Sequence, residues 1–449
     1  MEFNGKRVMV IGLGISGRAV ARLLAARGSQ LLMTDRSADL TCEDLPAGVV
    51  HLGAEDPAWF DVADPAPPVD LVVASPGVPQ TSTLMSAARA RRIPIIGELE
   101  LGSRFVSAPM VAITGTNGKS TVTVLVGEIC KAAGMKTFVG GNLGTPLATA
   151  MGVDFDVAVI EVSSYQLELI ETFKPRIAIH LNLTDDHLDR YRDLGEYGRA
   201  KARLFENQDG TDWAILNRDD PQVWKLAREV RSQVFSFGFE RPAGGETSRA
   251  IWYDGSGFAF VNAHHTGRIA LSGFTLPGRH NLLNAMAAAM AALALGIAPQ
   301  TIEHALTAFT GLPHRTEFVR DVDGVKYVDD SKGTNVGAVV EALAAIGGPV
   351  ILIAGGVDKG GDYGPLRAPL MEKARLLILI GAARDKMRAA LDGATAIETA
   401  SALPEAVRIA ALYARRGDTV MLSPACSSFD QFKDYAERGR VFQELVRAL

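Results

Sequence analysis

Cysteine is scarce: Cys42, Cys130 and Cys426 are the only 3 in 449 residues, an odd number set far apart. A disulfide-built secreted scaffold is excluded, and a reducing, cytoplasmic setting is the expectation. Long apolar runs are also missing. The longest, AMAAAMAALALGIA at 285–298, is too short and too alanine-rich to span a bilayer and reads as a buried helix. The first apolar run, VMVIGLG, has neither the length nor the cleavage site of a secretory leader, so no membrane insertion is expected. Positive charge is not in excess. The 46 Lys and Arg against 51 Asp and Glu leave a net charge of −5, which gives nucleic acid no electrostatic footprint. One dense basic stretch, ARARRIP at 88–94, reads as a solvated helix end. Low-complexity tracts and short-period repeats are absent.

What is present is an ordinary globular composition, 47% hydrophobic and 22% charged, in a chain long enough for about three domains. Apolar runs ending in glycine or acidic residues alternate with helical patterns, which implies α/β domains with parallel sheets and crossover helices. Three blocks emerge: residues 1–93, 94–311 and 312–449. In the first, RVMVIGLGISGRAVARLLAARG is strand, glycine turn and helix, and LLMTD is the next strand. Gly12, Gly14 and Gly17 form G-x-G-x-x-G, with Asp35 at the end of the second strand to accept a ribose hydroxyl. Ser75-Pro76-Gly77 marks a turn at the carboxyl end of a later strand, where ligands of such sheets sit. A full dinucleotide fold needs roughly 150 residues, and this block is shorter, so a smaller ligand carrying a nucleoside diphosphate fits it better.

The second block opens with VAITGTNGKSTVT at 111–123. Gly115 and Gly118 let backbone N–H groups turn inward around phosphate oxygens, Lys119 supplies a point charge, and Ser120 or Thr121 can reach Mg²⁺. The usual pattern asks for a glycine at 113, where this chain has Ile113. Further on, KTFVGGN ends in Asn142, and FDVAVIEVSS ends in Glu161, the position of a magnesium-binding acid. RIAIHLNLTDDHLDRY is a strand followed by Asp185, Asp186, His187 and Asp189. His187 sits among carboxylates, which favours ligand or proton-transfer duty. Magnesium is hard and octahedral, so it requires further oxygen ligands; nothing suggests zinc. The next helix carries Lys201, which by spacing alone reads as a surface lysine. In the third block GVKYVDDSKGTN, PVILIAGGVDKG, ARLLILIG and DTVMLSPACSS read as strands with polar carboxyl ends, and Lys332 and Lys359 stand on that rim beside glycines.

Seven motifs, TGTNGKST, EVSSYQLE, NLTDDHLDRY, LPGRHNLLNA, LPHRTE, DDSKGTN and SPACSSFDQF, together resemble the Mur ligases of bacterial peptidoglycan synthesis. The resemblance runs in order along the whole chain and includes the unusual phosphate loop. It implies a Rossmann-like N-terminal domain for a UDP-linked substrate, a central P-loop ATPase-type domain, and a C-terminal Rossmann-like domain for the amino acid. By similarity, Ile15, Ser16, Asp35, Arg36, Ser75 and Gly77 line the UDP site, and Asn142 and His187 reach the rest of that substrate. Gly115, Thr116, Asn117, Gly118, Lys119, Ser120 and Thr121 hold ATP, with Asn281, Arg315 and Asp330 around its base and ribose. Ser120, Glu161, His187 and Lys201, the last as a carbamate, match metal-site positions. Lys332, Thr334, Lys359 and Ser428 match a D-glutamate pocket, with Tyr435 where related ligases carry phenylalanine.

The implied reaction joins D-glutamate to the terminal carboxylate of UDP-N-acetylmuramoyl-L-alanine through an acyl phosphate made from ATP, with Mg²⁺ as cofactor and Lys119, His187 and Lys201 as catalytic residues. A monomer is expected. Three rival readings explain less. An NAD-dependent dehydrogenase leaves the phosphate loop idle, a nucleotide switch leaves the other polar rims idle, and a sister ligase adding another amino acid, or glutamate to folate, lacks DDSKGTN with SPACSSFDQF.

Overall fold

The computed structural model describes residues 3–61, 68–188, 190–243, 249–262 and 265–449. Each block builds its own sheet. The first has five parallel strands in the order Val49–Leu52, Gln30–Asp35, Arg7–Ile11, Leu71–Ala74 and Ile95–Gly97. Its last strand lies beyond residue 93, so this sheet reaches to Gly97. Gly12 has φ +86°, and a Cβ on Gly17 would stand 1.8 Å from the Gly12 carbonyl oxygen. These two positions therefore need glycine, one for conformation and one for the close approach of helix Ile15–Ala26.

The central sheet has nine strands, ordered His265–Ala270, Gly257–Asn262, Arg249–Tyr253, Gln233–Gly238, Trp213–Asn217, Ile177–His180, Met110–Thr114, Val157–Glu161 and Thr137–Gly141. The first three pair antiparallel, and the rest run parallel. Parallel strands are covered on both faces and so need unbroken apolar runs. Met110–Thr114 shows why: Val111 and Ile113 enter the core beneath helices Lys119–Ala132 and Arg279–Ala294, while Met110 and Ala112 enter the opposite one. The alanine-rich run in Arg279–Ala294 is buried from Asn284 to its end, where small side chains let it lie close against Lys119–Ala132.

The third sheet runs Glu317–Val322, Val325–Asp329, Thr419–Leu422, Val350–Gly355, Ala374–Ile380 and Ile397–Thr399, antiparallel only in its first pair. First and second domains meet through helix Glu98–Ser103. The fully buried Glu100 accepts the backbone N–H groups of Glu171, Thr172 and Phe173, the Thr172 hydroxyl and the Arg104 guanidinium.

Candidate active site

Ile113 is a strand residue, paired with Glu161 and Ile179 and fully buried. The turn begins only at Gly115, which explains the missing glycine: the strand reaches two residues further than the common pattern allows. Gly115 has φ +149° and Gly118 +84°, and a Cβ on Gly118 would lie 2.3 Å from Asn284 Oδ1. Asn182 clamps the loop by accepting Asn117 N–H (2.8 Å) and donating to Asn117 O (3.1 Å). Thr116 N–H donates to Asn182 O at 3.0 Å, and its hydroxyl donates to Thr184 O at 3.1 Å. The Lys119 ammonium folds onto the loop's own carbonyls, Gly115 O (2.9 Å) and Thr116 O (2.8 Å).

Glu161 ends strand Val157–Glu161 beside the loop and is 3% exposed. Its Oε1 accepts Asn142 Nδ2 at 2.8 Å, whereas its buried Oε2 has no protein partner. Burial favours the neutral acid, but the Lys119 charge, the Ser120 hydroxyl, the Asn142 amide and the Lys332 charge together hold it below the usual carboxylate value. An anionic carboxylate with a free buried oxygen beside a hydroxyl suits a hard cation.

Lys201 is not on the surface. It lies on helix Leu194–Ala202, is 1% exposed, and donates from Nζ to Gly115 O at 2.8 Å, with the Tyr197 ring 4.5 Å away. The spacing argument fails because it sees the helix period but not the phosphate loop packed against this face. Burial, and then the Lys119 charge, hold the amine well below its ordinary pKa. His187 takes the left-handed conformation, φ +58°. Its Nδ1 shares a hydrogen bond with the Tyr165 hydroxyl at 3.0 Å, and its Nε2 lies 3.8 Å from Asp186 Oδ2. Burial lowers its pKa despite that carboxylate. Asp185 is exposed, and Asp189 lies outside the described residues.

The third domain closes over this loop. Arg315 donates to Ser120 Oγ at 3.1 Å. Asn335 donates to Asn117 Oδ1 (3.0 Å) and Asp186 Oδ2 (3.1 Å), and Lys359 reaches Asp186 Oδ1 and Thr334 Oγ1, both at 3.4 Å. Asp330 accepts Thr316 N–H and the Ser423 hydroxyl, and burial pushes it up to about 6. The Lys332 ammonium stands 3.7 Å over the Tyr435 ring, and burial brings it down to about 8. Between the domains lies a cleft of about 980 Å³. Thr116 through Thr121, Asn142, Glu161, His187, Asn281, Arg315, Asp330, Lys332, Thr334 and Lys359 line it. Gly115, Lys201, Ser428 and Tyr435 do not: Gly115 opens the phosphate loop, Lys201 lies beneath it, and the last two support the third-domain rim.

The first-domain residues form a separate rim at the carboxyl ends of their sheet. Ile15 is 71% exposed, Gly77 is exposed, and Arg36 lies 3.9 Å from Glu55. Ser75 Oγ donates to Gly12 O at 2.7 Å. Asp35 accepts the N–H groups of Leu13 (2.6 Å) and Ser37 (2.9 Å), so its carboxylate fastens the glycine turn, and the ribose contact expected of it competes with those bonds. Sequence reasoning gave no role to Asn182, Asn284, Asn335 or Asp186. Asn182 and Asp186 stand inside NLTDDHLDRY and Asn284 inside LPGRHNLLNA, so polarity at a strand end or helix start was the available signal.

A cleft with Lys119, Arg315, Lys332 and Lys359 on its walls and Glu161 and Asp186 between them can hold several anionic groups side by side. Three family descriptions match the chain in order: the Mur ligase MurD-like N-terminal domain over 6–97, the Mur ligase middle domain over 113–292, and the Mur ligase glutamate ligase domain over 314–426. The UDP-N-acetylmuramoylalanine–D-glutamate ligase of Geotalea daltonii is 45% identical over 458 residues, 100% of this chain and 99% of that protein. The protein of the same name from Syntrophotalea carbinolica is 45% identical over 449 residues, with the same coverage. Among solved structures, the pseudomurein peptide ligase type C of Methanothermus fervidus shares the fold with TM-score 0.62 at 19% identity, over 99% of this chain and 100% of that one. The UDP-N-acetylmuramate-alanine ligase of Thermotoga maritima does so with TM-score 0.61 at 18% identity, over 98% and 99%.

Proposed function

The chain belongs to the Mur ligase family, and from that premise we propose that it joins D-glutamate to the L-alanyl carboxylate of UDP-N-acetylmuramoyl-L-alanine, using ATP. The observation that carries this reading is the convergence of a phosphate loop, with Lys119 and Glu161, and a pair of lysines, Lys332 and Lys359, on the two walls of one cleft. In this reading the first domain, through Gly97, takes the UDP moiety, the second, to residue 311, takes ATP, and 312–449 take the amino acid. Each site lies within one chain, which acts as a monomer in the cytoplasm. Among the described residues no helix is long and apolar enough to cross a membrane.

A carboxylate resists an amine because its charge repels the nucleophile and oxide does not leave. Attack of the substrate carboxylate oxygen on the γ-phosphorus of ATP releases ADP and gives an acyl phosphate. The D-glutamate amine then adds to the acyl carbon, the tetrahedral intermediate expels phosphate, and the amine proton is lost. Lys119 turns from Gly115 O and Thr116 O toward the phosphates and neutralises charge as it moves between oxygens. Arg315, Asn281 and Asp330 hold the nucleotide, while Asn142 and His187 orient the muramoyl end. Lys332 and Lys359 each oppose one carboxylate of D-glutamate, with Thr334 beside them.

Mg²⁺ would be held by Ser120, Glu161, His187 and Lys201 as its carbamate, and when bound it would neutralise phosphate charge. The free Glu161 oxygen supports this donor set. Lys201 and Lys119 both donate to the Gly115 carbonyl. Two ammonium groups on one oxygen repel each other, and burial with the Lys119 charge shifts Lys201 toward its neutral amine. Its neutral amine adds carbon dioxide, forming an N–C bond and releasing a proton, which replaces a buried amine with an oxygen ligand. The remaining N–H can still donate to Gly115 O.

The test is phosphate release from ATP with UDP-N-acetylmuramoyl-L-alanine and a panel of amino acids. D-glutamate alone should support efficient turnover; comparable rates with L-lysine or meso-diaminopimelate overturn the assignment.

A further inference from the structure

The final helix, Tyr435–Arg447, buries one arginine completely. Arg438 is 1% exposed, and among the described residues its hydrogen-bond partners are all neutral oxygens. Nε donates to Ser331 Oγ at 3.0 Å, and Nη2 donates to Ser331 O at 2.9 Å and Cys426 O at 3.3 Å. Nη1 donates to Cys426 O at 3.3 Å and Ser427 O at 3.4 Å. Burying a cation without a contacting carboxylate costs free energy, which the charges of Asp430, Asp329 and Asp330 offset only in part from beyond hydrogen-bond distance. Burial lowers this guanidinium to about 10, so it is still charged at neutral pH. A charge kept in so unfavourable a place needs a reason in the geometry around it.

The oxygens it binds belong to two loops, those after strands Val325–Asp329 and Thr419–Leu422. A third loop is fastened to the second. Val357 N–H donates to Ser427 O at 2.9 Å and Ser427 N–H to Val357 O at 3.1 Å, which ties in the loop after Val350–Gly355. A Cβ on Gly356 would stand 3.3 Å from Arg438 Nη1 and 2.1 Å from Ser427 O, so the third loop passes this point only as glycine. Ser331 Oγ donates to Tyr435 O at 2.7 Å, closing the network on the start of the same helix. Lys332 follows Ser331, Ser428 follows Ser427, and Lys359 lies two residues after Val357. One guanidinium thus sits behind the three loops that carry the amino-acid pocket.

We propose that Arg438 is the positioning residue of the dicarboxylate pocket, holding the loops of Lys332, Lys359 and Ser428 in register from behind without touching the ligand. This rests on the assignment of those residues to D-glutamate. Arginine suits the task because a planar fork reaches several carbonyls at once, which a lysine ammonium on a flexible stem does not.

Steady-state kinetics of Arg438→Lys, which keeps the charge and loses the fork, should show KM for D-glutamate raised roughly 10-fold or more, since small misplacements of binding groups are costly. KM for the UDP substrate should stay within about twofold, because that rim belongs to another sheet. A loss of kcat or of active protein with an unchanged KM for D-glutamate overturns the proposal. Lys332→Met and Lys359→Met, measured alongside, separate two failures. If they leave KM for D-glutamate unchanged, the pocket assignment is wrong; if they raise it and Arg438→Lys does not, the positioning role is wrong. Should Arg438→Lys not fold, Ser331→Ala removes the Nε contact together with the Oγ bond to Tyr435 O and should still raise KM for D-glutamate a few-fold, and an unchanged value has the same overturning force.

Discussion

Gly115 O accepts from Lys119 at 2.9 Å and from Lys201 at 2.8 Å, and the two lysines divide the chemistry between them. Lys119 opens on the cleft, with the charges of Glu161 and Asp186 opposing the burial that lowers its pKa. Lys119→Ala should cut turnover on the order of 100- to 1000-fold, the usual result of losing one preorganised charge at a transferring group. Its effect on the UDP substrate's Kd should be slight, because that rim is on another sheet; calorimetric titration of the variant measures this, and an equal loss of affinity and turnover contradicts the division. Lys201 lies below the loop without a carboxylate in contact. Lys201→Ala should lose roughly 100-fold in activity, as removal of groups that orient a metal does, and recover part of it with acetate. Lys201→Arg should stay inactive, because a guanidinium cannot become a carboxylate. Activity of the arginine variant equal to wild type, or labelled carbon dioxide never appearing on Lys201, would leave Lys201 as a structural lysine.

At the scale of elements, helix Glu98–Ser103 joins first and second domains and contains a second buried acid. Glu98 Oε1 accepts Ala148 N–H at 2.8 Å, Oε2 has no partner, and burial pushes the carboxyl up to about 7 against the pull of the Ala148 and Leu147 N–H groups and Gln166. A folded-state pKa above the unfolded one means the native state binds the extra proton. The contribution to stability is complete below about 4.5 and is lost as pH rises through about 7. Glu98→Gln should therefore be more stable than wild type at pH 8, by up to about 3 kcal/mol, and lose that advantage at pH 5. Urea unfolding at the two pH values measures it; a pH-independent difference would show that the carboxyl does not titrate there. Such a group is invisible in sequence, because ELELG reads as an ordinary helix start. The strand–turn–helix units are legible because doubly covered strands demand continuous apolar runs, and Glu161 and Lys119 are legible because strand and helix ends fix where they point. The antiparallel strands Arg249–Tyr253, Gly257–Asn262 and His265–Ala270 escape that reading, since one exposed face breaks the apolar run. Asn335 escapes it for a different reason: its partners Asp186 and Asn117 are 149 and 218 residues away.

For the whole molecule, closure of the third domain over the second depends on a few hydrogen bonds: Asn335 with Asn117 and Asp186, Lys359 with Asp186, and Arg315 with Ser120. Each contributes about 1 kcal/mol net, because water replaces it on opening. So few bonds hold the two domains together that the ligand-free protein should exchange between closed and open forms. A ligand shifts this balance only by contacts it makes better in one form. ATP touching Lys119 and Arg315, and D-glutamate touching Lys332 and Lys359 near Asp186, both favour closure. Small-angle scattering should show the radius of gyration falling when ATP analogue, UDP substrate and D-glutamate are added together. Asn335→Ala should enlarge the ligand-free radius while leaving the saturated one nearly unchanged, since the lost contact is one that ligands replace. Identical curves with and without ligands, in wild type and variant alike, would mean that the closed arrangement is the resting one and that substrates enter without domain motion.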